Sequence, residues 1–314
     1  MVPDTIRLMT PHFATARLTR HPDGITAVDT EYIRPGLAAA HIIQHAGAAA
    51  FVDVGTNYSV PHLLAALQEL RIDPAAVEYV FITHVHLDHA GGAGLLLQAL
   101  PAARLVAHPR GAPHLIDPAK LIAASKVVYG EERYRELYGD LIPVDAGRVL
   151  ESADLQRIAL RGRPFQLLHT PGHALHHYCV VDLDHHNIFT GDTFGLSYRE
   201  LDTAHGAFGV PTTTPTQFDP GQLVASIERL MAPDPKAAYL MHYSRVTGLP
   251  AMALRHAEDP DPYPAIYGEM RALWIELAGR HGLADPQASV DEYLSKDLDL
   301  NTQGLIAWLK RQRR

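Results

Sequence analysis

Cysteine is almost missing from this chain: Cys179 is the single one among 314 residues. One thiol excludes an internal disulfide and a cysteine-rich zinc knuckle, and it suits a reducing compartment. Long apolar runs are missing too, since none approaches the roughly 20 residues that a membrane-spanning helix needs. No charged-then-apolar leader opens the sequence, so a cytoplasmic protein without a membrane partner is expected. Basic residues are in deficit, 27 Lys and Arg against 35 Asp and Glu, for a net charge of −8. That balance gives no electrostatic case for a nucleic-acid partner. What remains, 47% apolar and 20% charged residues, is ordinary for a globular protein long enough to bury a sizeable core. Composition leaves the oligomeric state open, and a homodimer is compatible with it.

Histidine is plentiful, at 20 residues, and its placement is informative. Residues 77–83 (VEYVFIT) form a short apolar, β-branched and aromatic run that predicts a buried strand. Behind it come His84-Val85-His86-Leu87-Asp88-His89 and then Ala90-Gly91-Gly92, with a helix expected from residue 95. Four metal-capable side chains, His84, His86, Asp88 and His89, therefore crowd a strand-to-helix loop. A rigid sheet can hold ligands at such a place while one side stays open to a substrate.

The chain in order supports an α/β class. Strands are expected at 24–32, 38–45 and 48–54, a helix at 61–70, and a strand at 103–107 after the ligand loop. Residues 108–140 interrupt this rhythm with a helical insertion. It carries a helical stretch from 118 to about 138, on which Tyr129, Tyr134 and Tyr138 fall near helical spacing and make a packing stripe. Further strands are expected at 157–160, 165–169, 178–183, 187–190 and 237–241, with a helix at 221–231 begun by Asp219 or Pro220. Past residue 250 only helices are expected, at 266–281 and 302–311. The domains are thus 1–250 and a helical extension, 251–314. Similar content in 20–110 and 155–250 points to two related halves, each donating ligands.

His169, Asp192, His242 and His173 also stand at strand ends beside glycine or proline. Zinc and similar borderline metals take imidazole and carboxylate ligands and, in catalytic sites, keep a position for water. His84, His86 and His169 make one three-histidine set; Asp88, His89 and His242 make a second; Asp192 is the natural bridging carboxylate. Two metals about 3.5–4 Å apart can acidify a shared water and polarise the bond it attacks.

H-x-H-x-D-H at residues 84–89, H-T-P-G-H at 169–173, G-D-T at 191–193 and the late His242 come in an order that resembles the metallo-β-lactamase fold superfamily. Within it, the glyoxalase II-like branch of metal-dependent hydrolases is the nearer likeness. The resemblance implies an αββα sandwich, with the helical insertion and C-terminal extension added to it. It also implies two divalent ions, zinc first with iron or manganese as alternatives, held by His84, His86, Asp88, His89, His169, Asp192 and His242. His173 then corresponds to a supporting position. The implied chemistry is a bridging hydroxide attacking an ester, thioester or lactone of a small-molecule substrate, with Asp88 binding metal and orienting the nucleophile. Likeness to acyl-homoserine lactonases offers Tyr198 or Tyr243 as a phenol donor. An iron-dependent sulfur dioxygenase on the same fold is the alternative. The basic residues with which glyoxalase II binds glutathione have no match here, so the resemblance brings no substrate.

Overall fold

Seven short runs rich in Ala, Val, Ile and Phe pair into one sheet. In spatial order they are β1 (Leu18–Arg20), β2 (Ile25–Asp29), β3 (Ala39–His45), β4 (Ala48–Val52), β5 (Val77–Ile82), β6 (Arg104–Ala107) and β7 (Val149–Glu151). β1 to β4 are antiparallel. The β3–β4 turn uses Ala46 and Gly47, both at positive φ (46° and 80°), as a two-residue hairpin loop of matching twist requires. From β4 onward the pairing is parallel, because helices return the chain between strands. Val60–Glu69 lies between β4 and β5, and Leu87–Ala90 with Ala93–Ala99 between β5 and β6. Leu63, Ala66 and Leu67 of the first of these share one core with Phe51, Val80 and Leu105. Burying a side chain such as Leu63 contributes about 1.5–3 kcal/mol.

The structure is a computed structural model and describes residues 16–214, 217–247 and 262–312. The predicted boundary at residue 250 lies outside the described residues. The strands fall into two mixed sheets, and the chain divides into two compact units. One unit runs to His169 and includes Val180–His185; the other comprises Thr170–Cys179 and the chain from His186 onward.

The first unit also holds the hairpin of β8 (Arg157–Leu160) and β9 (Arg163–His169). Arg163, 1% exposed, pairs with the fully buried Asp182 at 2.5 Å, at the end of β10 (Tyr178–Asp182). The insertion is three helices, Ala112–Ile116, Ala119–Tyr129 and Glu131–Tyr138. The helical stretch expected over 118–138 is the last two of these, separated at Gly130, which at φ 79° and ψ 160° cannot continue the first. Tyr134 and Tyr138 are buried in a cluster with Leu87 of the ligand loop.

In the second unit β11 (Asn187–Gly191) runs parallel to β12 (Ala237–Leu240), and β13 (Ser244–Val246) pairs antiparallel with β12. Helix Pro220–Met231 connects β11 to β12; Asp219 caps it, accepting from the Gln222 amide at 3.0 Å. Helices Pro262–Arg280, Pro286–Tyr293 and Ser295–Gln312 follow, burying Trp274, Val290, Leu298 and Leu305. The middle one lies between the two ranges named from the sequence. It starts at Asp285-Pro286, with Asp285 accepting from the Ala288 amide at 3.0 Å and proline in the first turn, where its missing donor costs nothing.

Candidate metal centre

Three parallel strands of the first unit end in polar residues: Asp53 beyond β4, Thr83 and His84 beyond β5, His108 beyond β6. Carboxyl ends of parallel strands are where open α/β sheets place their ligands. After His84 the chain turns at His86 and enters helix Leu87–Ala90, which carries Asp88 and His89 in one turn. The turn packs tightly: a Cβ on Gly92 would meet the Thr56 carbonyl oxygen at 2.5 Å, so only glycine fits there. His84 Nε2 and His86 Nδ1 lie 2.7 Å apart, and Asp88 Oδ2 lies 3.9 Å from His89 Nε2. The ligand atoms of His84 and His86, and those of Asp88 and His89, each gather within 4.8 Å.

Asp53 holds this cluster in shape. Its Oδ2 lies 2.9 Å from His89 Nδ1, and its carboxylate accepts from the Thr83 amide (2.9 Å) and the Thr83 hydroxyl (2.8 Å). A carboxylate on Nδ1 keeps the proton there and leaves Nε2 as a lone-pair donor on the Asp88 side. From the sequence, Asp53 falls only within the strand expected at 48–54. The signal lacking there is a pairing across 36 residues.

In the second unit, Gly191 ends β11 at a shift of register and delivers Asp192. Asp192 stands between two histidines: its Oδ2 is 3.3 Å from His173 Nε2, and its Oδ1 is 3.8 Å from His242 Nε2. His242 follows β12 by two residues. The Asp192 amide points at His177 Nε2 (3.3 Å), and Thr170 Oγ1 holds the other nitrogen of that ring at 2.8 Å. The fully buried His177 is thus a brace for Asp192.

The two histidines of the H-T-P-G-H motif lie in different surroundings. His169, read as a ligand, has its Nε2 3.1 Å from Ser152 Oγ and its ring against that of His108, centroids 4.2 Å apart. Burial, and then His169 beside it, push His108 down to about 4, so that ring is neutral. His173, read as a support, is the one that meets Asp192. Gly172 produces the difference. At φ 135° it turns the chain against helix Pro220–Met231, where a Cβ would lie 2.3 Å from the Leu223 nitrogen.

Tyr198 is 2% exposed, and its hydroxyl donates to Asp297 of the last helix at 3.3 Å. Tyr243 is half-buried beside His242, its amide donating to the Ser197 carbonyl at 3.3 Å. In the first unit the phenols of Tyr32 and Tyr138 lie 2.9 Å apart. Burial raises the pKa of both, and the nearby charge of Asp88 adds to it. They stay protonated beside the ligand loop.

The donors are imidazole nitrogens and carboxylate oxygens. The lone thiol, Cys179, is turned instead toward Thr170 Oγ1 at 3.3 Å. Such a His/Asp set is compatible with divalent metals of the zinc type. Among the described residues no helix is long and apolar enough to cross a membrane.

Comparison with known proteins agrees with the geometry. A metallo-beta-lactamase fold-containing protein of Sulfurisphaera tokodaii is 26% identical over 276 residues, 86% of this chain and 91% of that protein. A hydroxyacylglutathione hydrolase of Stenotrophomonas maltophilia is 31% identical over 192 residues, which are 61% of this chain and 54% of that enzyme. Of solved structures, an archaeal metallo-beta-lactamase superfamily protein from Sulfolobus tokodaii superposes with a TM-score of 0.59 at 23% identity, covering 83% of this chain and 98% of that one. That likeness carries the fold, which is the one expected from the sequence. The family model of the metallo-beta-lactamase superfamily matches residues 33–242, and the chain belongs to that superfamily as one of its metal-dependent hydrolases.

Proposed function

We propose that the chain is a binuclear metallohydrolase acting on an ester, thioester or lactone of a small molecule. The observation that carries this reading is Asp192, whose two carboxylate oxygens face His173 and His242 separately. A carboxylate so placed suits two ions, where a mononuclear dioxygenase needs only one histidine set. In this proposal the metal donors are His84, His86, Asp88 and His89 of the first unit and His173, Asp192 and His242 of the second. Zinc is the first choice, with iron or manganese as alternatives. When bound, such ions supply Lewis acidity and lower the pKa of water.

The chain's own residues do the positioning. Asp53 fixes His89, and His177 with Thr170 fixes Asp192. Asp88, with 21% of its side chain exposed against 7% for Asp192, is the carboxylate open to an incoming water and takes its hydrogen bond. The hydroxyl of Tyr198 is committed to Asp297, so Tyr243 is the phenol we assign to the substrate's side. The acyl-glutathione in the name of the Stenotrophomonas relative supports a thioester among the substrates. The protein is read as acting in the cytoplasm on small molecules, with no nucleic-acid or membrane partner. The test is a screen of thioesters, lactones and esters with zinc-loaded enzyme. We expect turnover of at least one class, abolished by chelator and restored by zinc. No turnover in any class, with oxygen uptake on a glutathione persulfide instead, overturns the reading.

A further inference from the structure

The last helix reaches back to one of the motifs. Asn301, fully buried on helix Ser295–Gln312, makes two short bonds to the same loop. Its Nδ2 donates to the Pro211 carbonyl and its Oδ1 accepts from the Thr213 amide, each at 2.6 Å. The Thr213 hydroxyl in turn donates to the Asn301 carbonyl at 3.0 Å. One turn on, Gly304 leaves room for this contact, since a Cβ there would lie 2.1 Å from Thr213 Oγ1. The residues on either side of Thr213 are the ones that hold His173. The Thr212 carbonyl lies 3.4 Å from His173 Nδ1, and the Thr214 hydroxyl donates to the His173 carbonyl at 3.0 Å.

We propose that Asn301 is a positioning residue for His173: by pinning Pro211 and Thr213 it fixes the Thr212 carbonyl that orients the imidazole toward Asp192. A primary amide is required because the loop presents an acceptor and a donor 2.6 Å from one side chain; aspartate lacks the donor, and leucine lacks both. A carbonyl on Nδ1 selects the tautomer whose Nε2 is a lone-pair donor, and loss of such an orienting partner weakens metal binding about 10–100-fold. The last helix thereby acts on His173 through this clamp. This inference rests on the metal-binding reading above.

The test uses the full chain and measures zinc affinity by chelator competition, with the visible spectrum of the cobalt-loaded form alongside. Asn301→Asp and Thr214→Val are expected to weaken the tighter or the weaker of the zinc sites about 10–100-fold and to change the cobalt bands. Thr302→Val is the control. It removes a buried bond inside the same helix, from Thr302 Oγ1 to the Leu298 carbonyl at 2.7 Å, and should keep the parent's affinity and spectrum. Asn301→Asp that folds and binds zinc like the parent overturns the proposal. So does Thr302→Val weakening zinc as much as Asn301→Asp, which would mean packing and not the clamp. Should Asn301→Asp not accumulate folded, Thr214→Val decides, and unchanged affinity there overturns the proposal. A parent chain that binds no zinc overturns the hydrolase reading first.

Discussion

Replacing Asp53 by asparagine changes one atom and removes the support of His89. In the parent the carboxylate, 2% exposed, accepts from the Thr83 amide, from the Thr83 hydroxyl and from His89 Nδ1, all within 3.0 Å. In Asp53→Asn the oxygen facing the Thr83 amide can stay, but the new NH2 group then faces two donors. His89 must turn over its tautomer, moving its proton to Nε2, the nitrogen on the Asp88 side. The lost charge-assisted bond is worth about 1.5–3 kcal/mol in a buried setting. A tautomer that blocks the ligand nitrogen should cost about 10–100-fold in metal affinity. Zinc affinity by chelator competition measures the second effect, and urea unfolding of the metal-free chain measures the first. Asp53→Asn with the parent's zinc affinity would show that His89 Nε2 is not a metal ligand or that Asp53 does not orient it.

Other expected outcomes separate the residues of the site. His173→Ala should lose one ion and nearly all hydrolysis, while His169→Ala should keep two; metal analysis of the pair reverses the assignment if His169→Ala is the one depleted. Gly172→Ala forces a side chain onto the Leu223 backbone at a φ that disfavours one; it should lower the melting temperature and zinc content together, and wild-type values for both would contradict the tight turn. His41, 2% exposed, is pushed by burial to about 3. Below the unfolded value near 6.5 the unfolded chain binds the extra proton, so stability falls by about 1.4 kcal/mol per pH unit and by about 2 kcal/mol at pH 5. His41→Gln should remove that slope, and urea titrations with chelator present check it against the parent.

The ligand loop was legible because its chemistry is local. Strand 77–83, H-x-H-x-D-H and the glycines behind it fall in one continuous stretch; the observed strand Val77–Ile82 and helix Ala93–Ala99 differ from expectation by only a residue or two, while the short helix Leu87–Ala90 falls where a loop was expected. The end of β11 at Asp192 and of β12 near His242 were legible for the same reason. His169 and His173 were not separable from the chain alone. Which of them meets Asp192 is decided by a left-handed Gly172 seated on Leu223, a contact between segments 51 residues apart. Asp53 and Asn301 escaped because an isolated polar residue carries no period; each has a role only through a partner distant in sequence. The three-residue strands β1, β7 and β13 are too short for alternation to register. The helical stretch expected in the insertion divides at Gly130, where a single glycine in the left-handed region outweighs helical spacing on both sides.

Metal content tests the central claim most directly. The chain purified without chelator and reloaded with zinc should carry two ions by elemental analysis. Asp192→Asn should carry about one, because a neutral amide no longer offsets the repulsion between two dications, and its hydrolysis should drop by orders of magnitude while the fold survives. Two tightly held ions and near-normal turnover in Asp192→Asn, or no stoichiometric metal in the parent, would contradict the account.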